Sequence, residues 1–386
     1  MDIQKFFQII SDKHFSDYKK MQYKYGEIFD NFLENFVEMY YLSLPLNDFD
    51  GKGIVFSEHI PAIKKSINKL LSKQNNGYGI KAAEDEIISS SAIEGIDFNR
   101  ESVRNILKGY AAKDEQENRI LGLKKGFDFI TDTSNKINED NFYNLYMMAI
   151  GEFLDEEDKL LPGNKYRHDT VYVVGGTDIA HSGINHQKLP EYMSALFDFI
   201  NAEDNIDDLL KSAIIHFYIA YLHPYFDGNG RMARLVHLWY LIQNGYESAL
   251  YLPLSYQINK SKKAYYNAFT LIEDNAKISK KIDVAPFLIY FVNEVYNKLN
   301  ENQQSNETFE IYNEAVKEGK VTEKETKLWQ FVLSAYGTNE FSTKQLEKDF
   351  GEAAYATIRS FVLKFEKLNL LISIKYGIRV KYKVKY

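Results

Sequence analysis

The stretch His223-Pro-Tyr-Phe-Asp-Gly-Asn-Gly-Arg-Met-Ala-Arg234 gathers side chains suited to phosphate chemistry. His223 opens it, and histidine is the side chain best suited to take a proton near neutral pH. Gly228 and Gly230 bracket Asn229. Glycine reaches backbone angles closed to other residues, so the amides here can turn into one concave nest for an anion. A helix starting directly afterwards adds unpaired N–H groups and its positive dipole end. Arg231 and Arg234, at i and i+3, can grip further phosphate oxygens. Asp227 can hold Mg²⁺, an ion that takes one or two protein carboxylates plus substrate phosphates.

Apolar helical patterns must position this loop, one over 209–222 before it and one over 235–242 after it. Upstream, residues 81–95 read as a helix that stops at Gly95, a residue type favoured just past a helix C-terminus. Ser90 and Glu94 lie four apart and share a face of that helix. A carboxylate in the last turn opposes the helix dipole, so Glu94 gains if an external cation takes it. Further helices are expected over 61–71, 103–110, 120–130, 138–151 and 284–299, with a strand and turn at Val171–Val174. The N-terminal helical segment, with Phe29, Phe32, Phe36 and Tyr40 at helical spacing, is expected to end at Pro45 and the Asn47–Gly51 cluster.

The His-Pro-aromatic-x-Asp-Gly-Asn-Gly-Arg-x-x-Arg string resembles the signature of the Fic family, enzymes that mostly move AMP from ATP onto protein hydroxyls. Tyr225 departs from it, because the family usually has phenylalanine there as a buried anchor. Ser90-x-x-x-Glu94-Gly95 is similar to the family's inhibitory motif. That likeness implies that Glu94 pairs with Arg234 and blocks the ATP γ-phosphate, or that it positions a water that removes AMP from the target. Gly163, Arg167 and the Val-Val-Gly-Gly ending at Gly176 resemble the family's flap, a hairpin that aligns the target as an added strand. Many relatives have paired prolines after it, where this chain keeps only Pro190. Aromatics around Ala264–Phe269 line either an adenine pocket or the core.

Composition narrows the alternatives. The 386 residues are 45% hydrophobic and 26% charged with net charge −7, which suits a folded chain of two or three domains and gives no general affinity for nucleic acid or anionic membrane. No cysteine is present, so disulfides and thiolate metal sites are excluded. His181 and His186 lack a zinc spacing and read as polar loop residues, and His168, His216 and His237 receive no catalytic role. Neither a signal peptide nor an apolar run of membrane-spanning length is visible, which points to the cytoplasm. No Gly-x-Ser-x-Gly elbow supports a hydrolase triad.

The C-terminal stretch changes character. Helical patterns at 327–335, 343–349 and 353–368 precede a run in which Arg379, Lys381, Lys383 and Lys385 alternate with apolar residues. From Arg359 onward eight Lys/Arg residues face one acid. Three helices and a hairpin resemble a winged helix-turn-helix, and residues 353–386 then bind duplex DNA, dock protein, or carry lysines that guard an exposed edge strand.

The resemblance thus implies a mainly α fold: a Fic-type helical core with a short β-hairpin flap, plus a small C-terminal winged-helix module. Residues 1–110 form an N-terminal helical region with inhibitory helix 81–95, residues 111–300 the core, and residues 301–386 a linker and the module. His223 is the base. Gly228, Asn229, Gly230, Arg231 and Arg234 hold ATP, Asp227 holds Mg²⁺, and Glu94 with Ser90 inhibits. Partners are ATP, a protein carrying a Ser, Thr or Tyr hydroxyl, and a second copy of the chain, with no membrane. The competing readings are AMP removal or transfer of another phosphate-containing group by the same pocket, and a DNA-binding regulator whose core senses nucleotide.

Overall fold

The structure is a computed structural model that describes residues 3–57, 60–65, 67, 71, 80–175, 178–246, 248–249, 254–299, 306–336, 340–351, 353–377 and 379–385. Most of the expected helix over 61–71 and the polar stretch beginning at Asn300 lie outside the described residues, as do the loop at 75–79 and Leu252-Pro253.

The centre is a pair of helices, α9 (Asp208–Leu222) and α10 (Asn229–Gln243), packed against each other and joined by the histidine-to-glycine loop. Both are buried on nearly every face, so their apolar residues do not form one stripe. Around them stand α6 (Glu115–Thr131), α7 (Glu139–Ala149), α8 (Leu189–Asn201), α11 (Leu254–Lys260), α12 (Lys262–Ser279) and α13 (Ala285–Tyr290). Each expected helix of this region is present within a few residues except the last. The continuous helix read over 284–299 is α13 followed by a π turn, Phe291–Val295, and a 3₁₀ turn, Tyr296–Lys298.

The upstream helices are α1 (Ile3–Ile10), α2 (Tyr18–Tyr25), α3 (Glu27–Tyr40), α4 (Ile80–Ile93) and α5 (Arg100–Leu107). Where the helical segment was expected to run out at Pro45, the chain forms strand β1 (Tyr41–Asn47), antiparallel to β2 (Gly53–Ser57). Leu44 and Leu46 point into the core. Pro45 sits between them in the register irregularity between Ser43 and Asn47, where no residue has a paired partner on β2, so its missing N–H costs no ladder bond. Phe29 and Phe32 belong to a separate aromatic cluster with Phe15, Tyr18 and Met21, whereas the side chains of Phe36 and Tyr40 lie outside the described residues. Tyr18 ties that cluster to the main body: its hydroxyl donates to Asp283 Oδ2 at 3.2 Å and its N–H to Asn275 Oδ1 at 2.9 Å. Burial pushes the Asp283 carboxyl up to about 6.

One hydrophobic core includes residues from Leu44 to Leu299, so α4, α5 and the β1–β2 hairpin pack with the central helices. A second core holds the C-terminal elements α15 (Glu323–Ala335), α16 (Thr343–Phe350), α17 (Tyr355–Lys367), β5 (Leu371–Tyr376) and β6 (Arg379–Val384), which follow α14 (Asn306–Lys317). A capping box between Thr322 and Glu325 starts α15. The unit is three helices and one antiparallel hairpin, with α15 lying against α4 and Lys108 of the α5 end 5.7 Å above the Phe331 ring. Among the described residues no helix is long and apolar enough to cross a membrane.

Candidate active site

The loop from His223 to Gly228 is closed by its own side chains. His223 caps α9 in the left-handed region, at φ 55°, and its Nδ1 lies 3.3 Å from Ala220 O. Donation from Nδ1 to that carbonyl leaves Nε2 as the basic nitrogen. Asn229 was expected to contribute to the phosphate nest. Its side chain is a clamp on the loop, with Oδ1 accepting from Tyr225 N at 2.9 Å and Nδ2 donating to Tyr225 O at 2.8 Å. The expected nest calls on main-chain amides at this position, which the clamp does not use. Gly228 is the N-cap of α10 at φ 84° and supplies no side-chain cap, so the first-turn N–H groups of α10 have no side-chain acceptor from it. A side chain at Gly228 would also run into Ile150, since a Cβ there would stand 2.6 Å from Ile150 Cγ2.

Tyr225 fills the buried anchor position. Its ring stacks on Tyr146 with centroids 3.4 Å apart and 1° between planes. Its hydroxyl, however, has no hydrogen-bond partner among the described residues, and burial raises the phenol far above its ordinary range. The partner that the tyrosine-for-phenylalanine departure called for is not supplied.

Opposite α10 lies the end of α4. Glu94 Oε1 is 2.5 Å from Arg234 Nη2, and Glu94 Oε2 is 3.0 Å from Arg231 Nε. Sequence reasoning paired Glu94 with Arg234 alone; in the structure it spans both arginines. Arg234 also donates from Nε to Ser90 Oγ at 2.8 Å and from Nη2 to Ser90 O at 2.9 Å. Gly230 makes the approach possible, because a Cβ there would stand 2.2 Å from Glu94 Oε1. The carboxylate thus sits over the first turn of α10, where an anion is favoured by dipole, amides and two guanidiniums together.

Asp227 is half-exposed at the edge of this cluster. Its Oδ1 accepts from Gly228 N at 2.5 Å and its Oδ2 from Arg231 Nη2 at 2.8 Å. Among the described residues no group of three or more His, Cys, Asp or Glu side chains could hold a metal ion. A single carboxylate with remaining lone pairs still fits Mg²⁺, whose other ligands are ordinarily phosphate oxygens and water.

Helix α4 is fastened by residues that its motif did not reveal. Glu84, fully buried, takes Arg100 at 2.5 Å and Arg104 at 2.9 Å from α5. Glu86 accepts from Ser255 N at 2.9 Å and from the Ser255 hydroxyl, and burial raises its carboxyl. At the C-terminus of α4, Tyr266 donates to Ile93 O at 3.3 Å and Lys262 to Ala92 O at 3.5 Å. The available signal was Glu84-Asp85-Glu86, three successive acids that cannot all share one solvent-facing side of a helix.

The flap region is a hairpin, β3 (Tyr172–Gly175) antiparallel to β4 (Asp178–Ser182), and Gly176 lies outside the described residues. Behind Arg234, His216 and His237 form a buried pair with ring centroids 5.6 Å apart, bonded to Tyr265 at 2.9 Å and Tyr296 at 3.0 Å. Of the C-terminal basic residues, Lys364 is committed to Glu325 at 2.7 Å and Lys381 to Glu340 at 3.4 Å, while Arg359, Lys367 and Arg379 are exposed.

Residues 136–241 match the model of the Fic/DOC family. Over 292 residues the chain is 25% identical to the protein adenylyltransferase Fic of Culex quinquefasciatus, covering 69% of this chain and 54% of that protein. The protein adenylyltransferase Fic of Aedes aegypti is 24% identical over 292 residues, with the same 69% and 54% covered. The chain therefore spans about half the length of the curated relatives it matches. Among solved structures, a Fic family protein from Desulfovibrio desulfuricans G20 matches with a TM-score of 0.49 at 19% identity, covering 79% of this chain and 86% of that one.

Proposed function

From the match of residues 136–241 to the Fic/DOC family model we propose that this chain is a protein adenylyltransferase of that family, held in check by its own Glu94. The observation that carries the proposal is the Glu94 carboxylate lodged over the N-terminus of α10 and bonded to both Arg231 and Arg234. A carboxylate bridging two buried guanidiniums occupies a site built for an anion with several oxygens, which a polyphosphate has and a single carboxylate only mimics.

In the proposed reaction a Ser, Thr or Tyr hydroxyl of a target protein gives its proton to His223 Nε2. The hydroxyl oxygen forms a bond to the α-phosphorus of ATP, and the bond from that phosphorus to the bridging oxygen breaks, releasing pyrophosphate. The first-turn amides of α10 and Arg231 hold charge on the phosphates, so positioning and electrostatics supply most of the rate. Arg234 takes the γ-phosphate once Glu94 withdraws. Asp227 would hold Mg²⁺, which when bound neutralises charge across the phosphates. The β3–β4 hairpin would seat an extended target segment by adding a strand.

Intact-mass measurement tests this directly. The Glu94→Gly chain, incubated with ATP and Mg²⁺, should gain the mass of one or more AMP groups in hydroxylamine-stable linkage. Gain of bare phosphate would instead assign a kinase, and loss of AMP from a pre-modified chain by wild type would assign Glu94 to AMP removal. Duplex DNA at residues 353–386 is a second reading, favoured by exposed Arg359, Lys367 and Arg379; salt-dependent duplex binding that disappears in a triple alanine variant of these residues would support it.

A further inference from the structure

We propose that Arg167 is a positioning residue that locks the backbone of His223 and both feet of the β3–β4 hairpin into one unit. Arg167 is 2% exposed and has no carboxylate partner among its hydrogen bonds. Its guanidinium serves three main-chain carbonyls from three separate segments. Nε donates to His223 O at 2.7 Å, Nη1 to Asp169 O at 2.6 Å ahead of β3, and Nη2 to Ile184 O after β4. Its own N–H donates to Pro224 O at 2.9 Å, so two successive carbonyls of the histidine loop end on this one residue.

A buried cation with no ion pair is costly, and burial lowers this guanidinium to about 10 even though the Asp169 charge pulls the other way. Neutral packing could fill the same space. What only a planar fork of donors can do is hold three carbonyls in fixed directions at once, which the single ammonium of lysine cannot. His223 needs such holding, because a non-glycine residue stays in the left-handed region only where its surroundings fix it. The hairpin base is built to the same plan. Gly183 N donates to Val171 O at 3.0 Å, and a Cβ on Gly183 would stand 2.8 Å from Arg167 Nη2. The base that takes the proton and the strands that present the target hydroxyl therefore share one anchor. This role rests on the proposed reading of His223 as base and of the hairpin as the target's seat.

The test uses the full chain carrying Arg167→Gln or Arg167→Lys, each with and without Glu94→Gly. Hydrogen exchange should show Arg167→Gln opening peptides over 167–186 and 219–228 together, by roughly tenfold or more, as loss of charge-assisted bonds implies. The aromatic N-terminal cluster and the C-terminal core should keep their protection. In the Glu94→Gly background, incorporation of α-labelled phosphate should fall by about 30-fold while ATP affinity by titration stays within about threefold, with Arg167→Lys recovering part of the rate. Unchanged exchange over 219–228, a labelling rate within about threefold of the parent, or rate loss matched by loss of ATP binding would each overturn the proposal. If Glu94→Gly alone transfers no label, the transferase reading fails, and the exchange result still decides whether Arg167 couples loop and hairpin.

Discussion

Replacing Tyr225 by phenylalanine should stabilise the protein. The tyrosine is completely buried, and its hydroxyl finds no acceptor or donor among the described residues. Tyr166 donates its hydroxyl proton to Glu139 Oε1 at 2.9 Å, and the Tyr225 hydroxyl makes no bond to its oxygen. A buried polar group left unmatched costs about 1–3 kcal/mol. Deleting the oxygen forfeits only a few dispersion contacts of about 0.1–0.2 kcal/mol each, and the ring stack on Tyr146 is kept. The balance is a gain of about 1–2 kcal/mol, or a melting temperature higher by roughly 2–4 °C. Urea titration gives the free energy and a thermal melt the midpoint, with wild type measured alongside. A Tyr225→Phe protein that melts below wild type would refute the reasoning, because the hydroxyl would then be making a bond worth more than its desolvation.

Ser90→Ala removes the bond from Arg234 Nε to Ser90 Oγ, a contact to a charged group worth about 1.5–3 kcal/mol. Its AMP transfer rate should lie between those of wild type and Glu94→Gly, and a rate equal to wild type would show that Glu94 needs no help from Ser90. Gly228→Ala should lose about 2–3 kcal/mol in equilibrium unfolding, from its positive φ and the collision with Ile150; a loss below half a kcal/mol would mean the loop relaxes freely. Acid should weaken the fold through the buried histidine pair. Burial holds His237 down to about 3 against an ordinary 6.5, so the unfolded chain takes up a proton that the folded one refuses. Its contribution is full above 6.5 and is lost as pH falls, by about 2 kcal/mol at pH 5, with His216 acting in the same direction. Unfolding free energies that match at pH 5 and pH 7.5 would contradict this.

The loop and its flanking helices were legible because composition and period agree there: glycines at the turn, and apolar residues dominating α9 and α10. Ser90, Glu94 and Gly95 were legible as a motif, and their geometry adds Arg231 to the pairing, which helical spacing alone could not specify. The amides around Asn229 were legible as a nest from the flanking glycines, whereas its side-chain clamp on both main-chain groups of Tyr225, four residues earlier, was not read. Pro45 looked like a breaker because strand and helix both exclude it from their interiors, and only the unpaired irregularity of β1 between Ser43 and Asn47 makes it harmless. The π turn at Phe291–Val295 left no trace in the apolar pattern, since its buried residues Phe291, Val292 and Val295 fall at spacings an α-helix also gives. Arg167 was visible as part of a flap-like string, but its three carbonyl partners come from segments that only the folded chain brings together.

The central claim is AMP transfer through His223 under the control of Glu94. ATP labelled separately at the α- and γ-phosphates, with Mg²⁺, should be given to wild type, Glu94→Gly and Glu94→Gly/His223→Ala chains, alone and in a cell lysate. The account predicts α-label on protein with Glu94→Gly, weak label with wild type, none with the double variant, and no γ-label on the purified chains and none above the untreated lysate. Label from the γ-phosphate beyond that background, or α-label that survives His223→Ala, would contradict it.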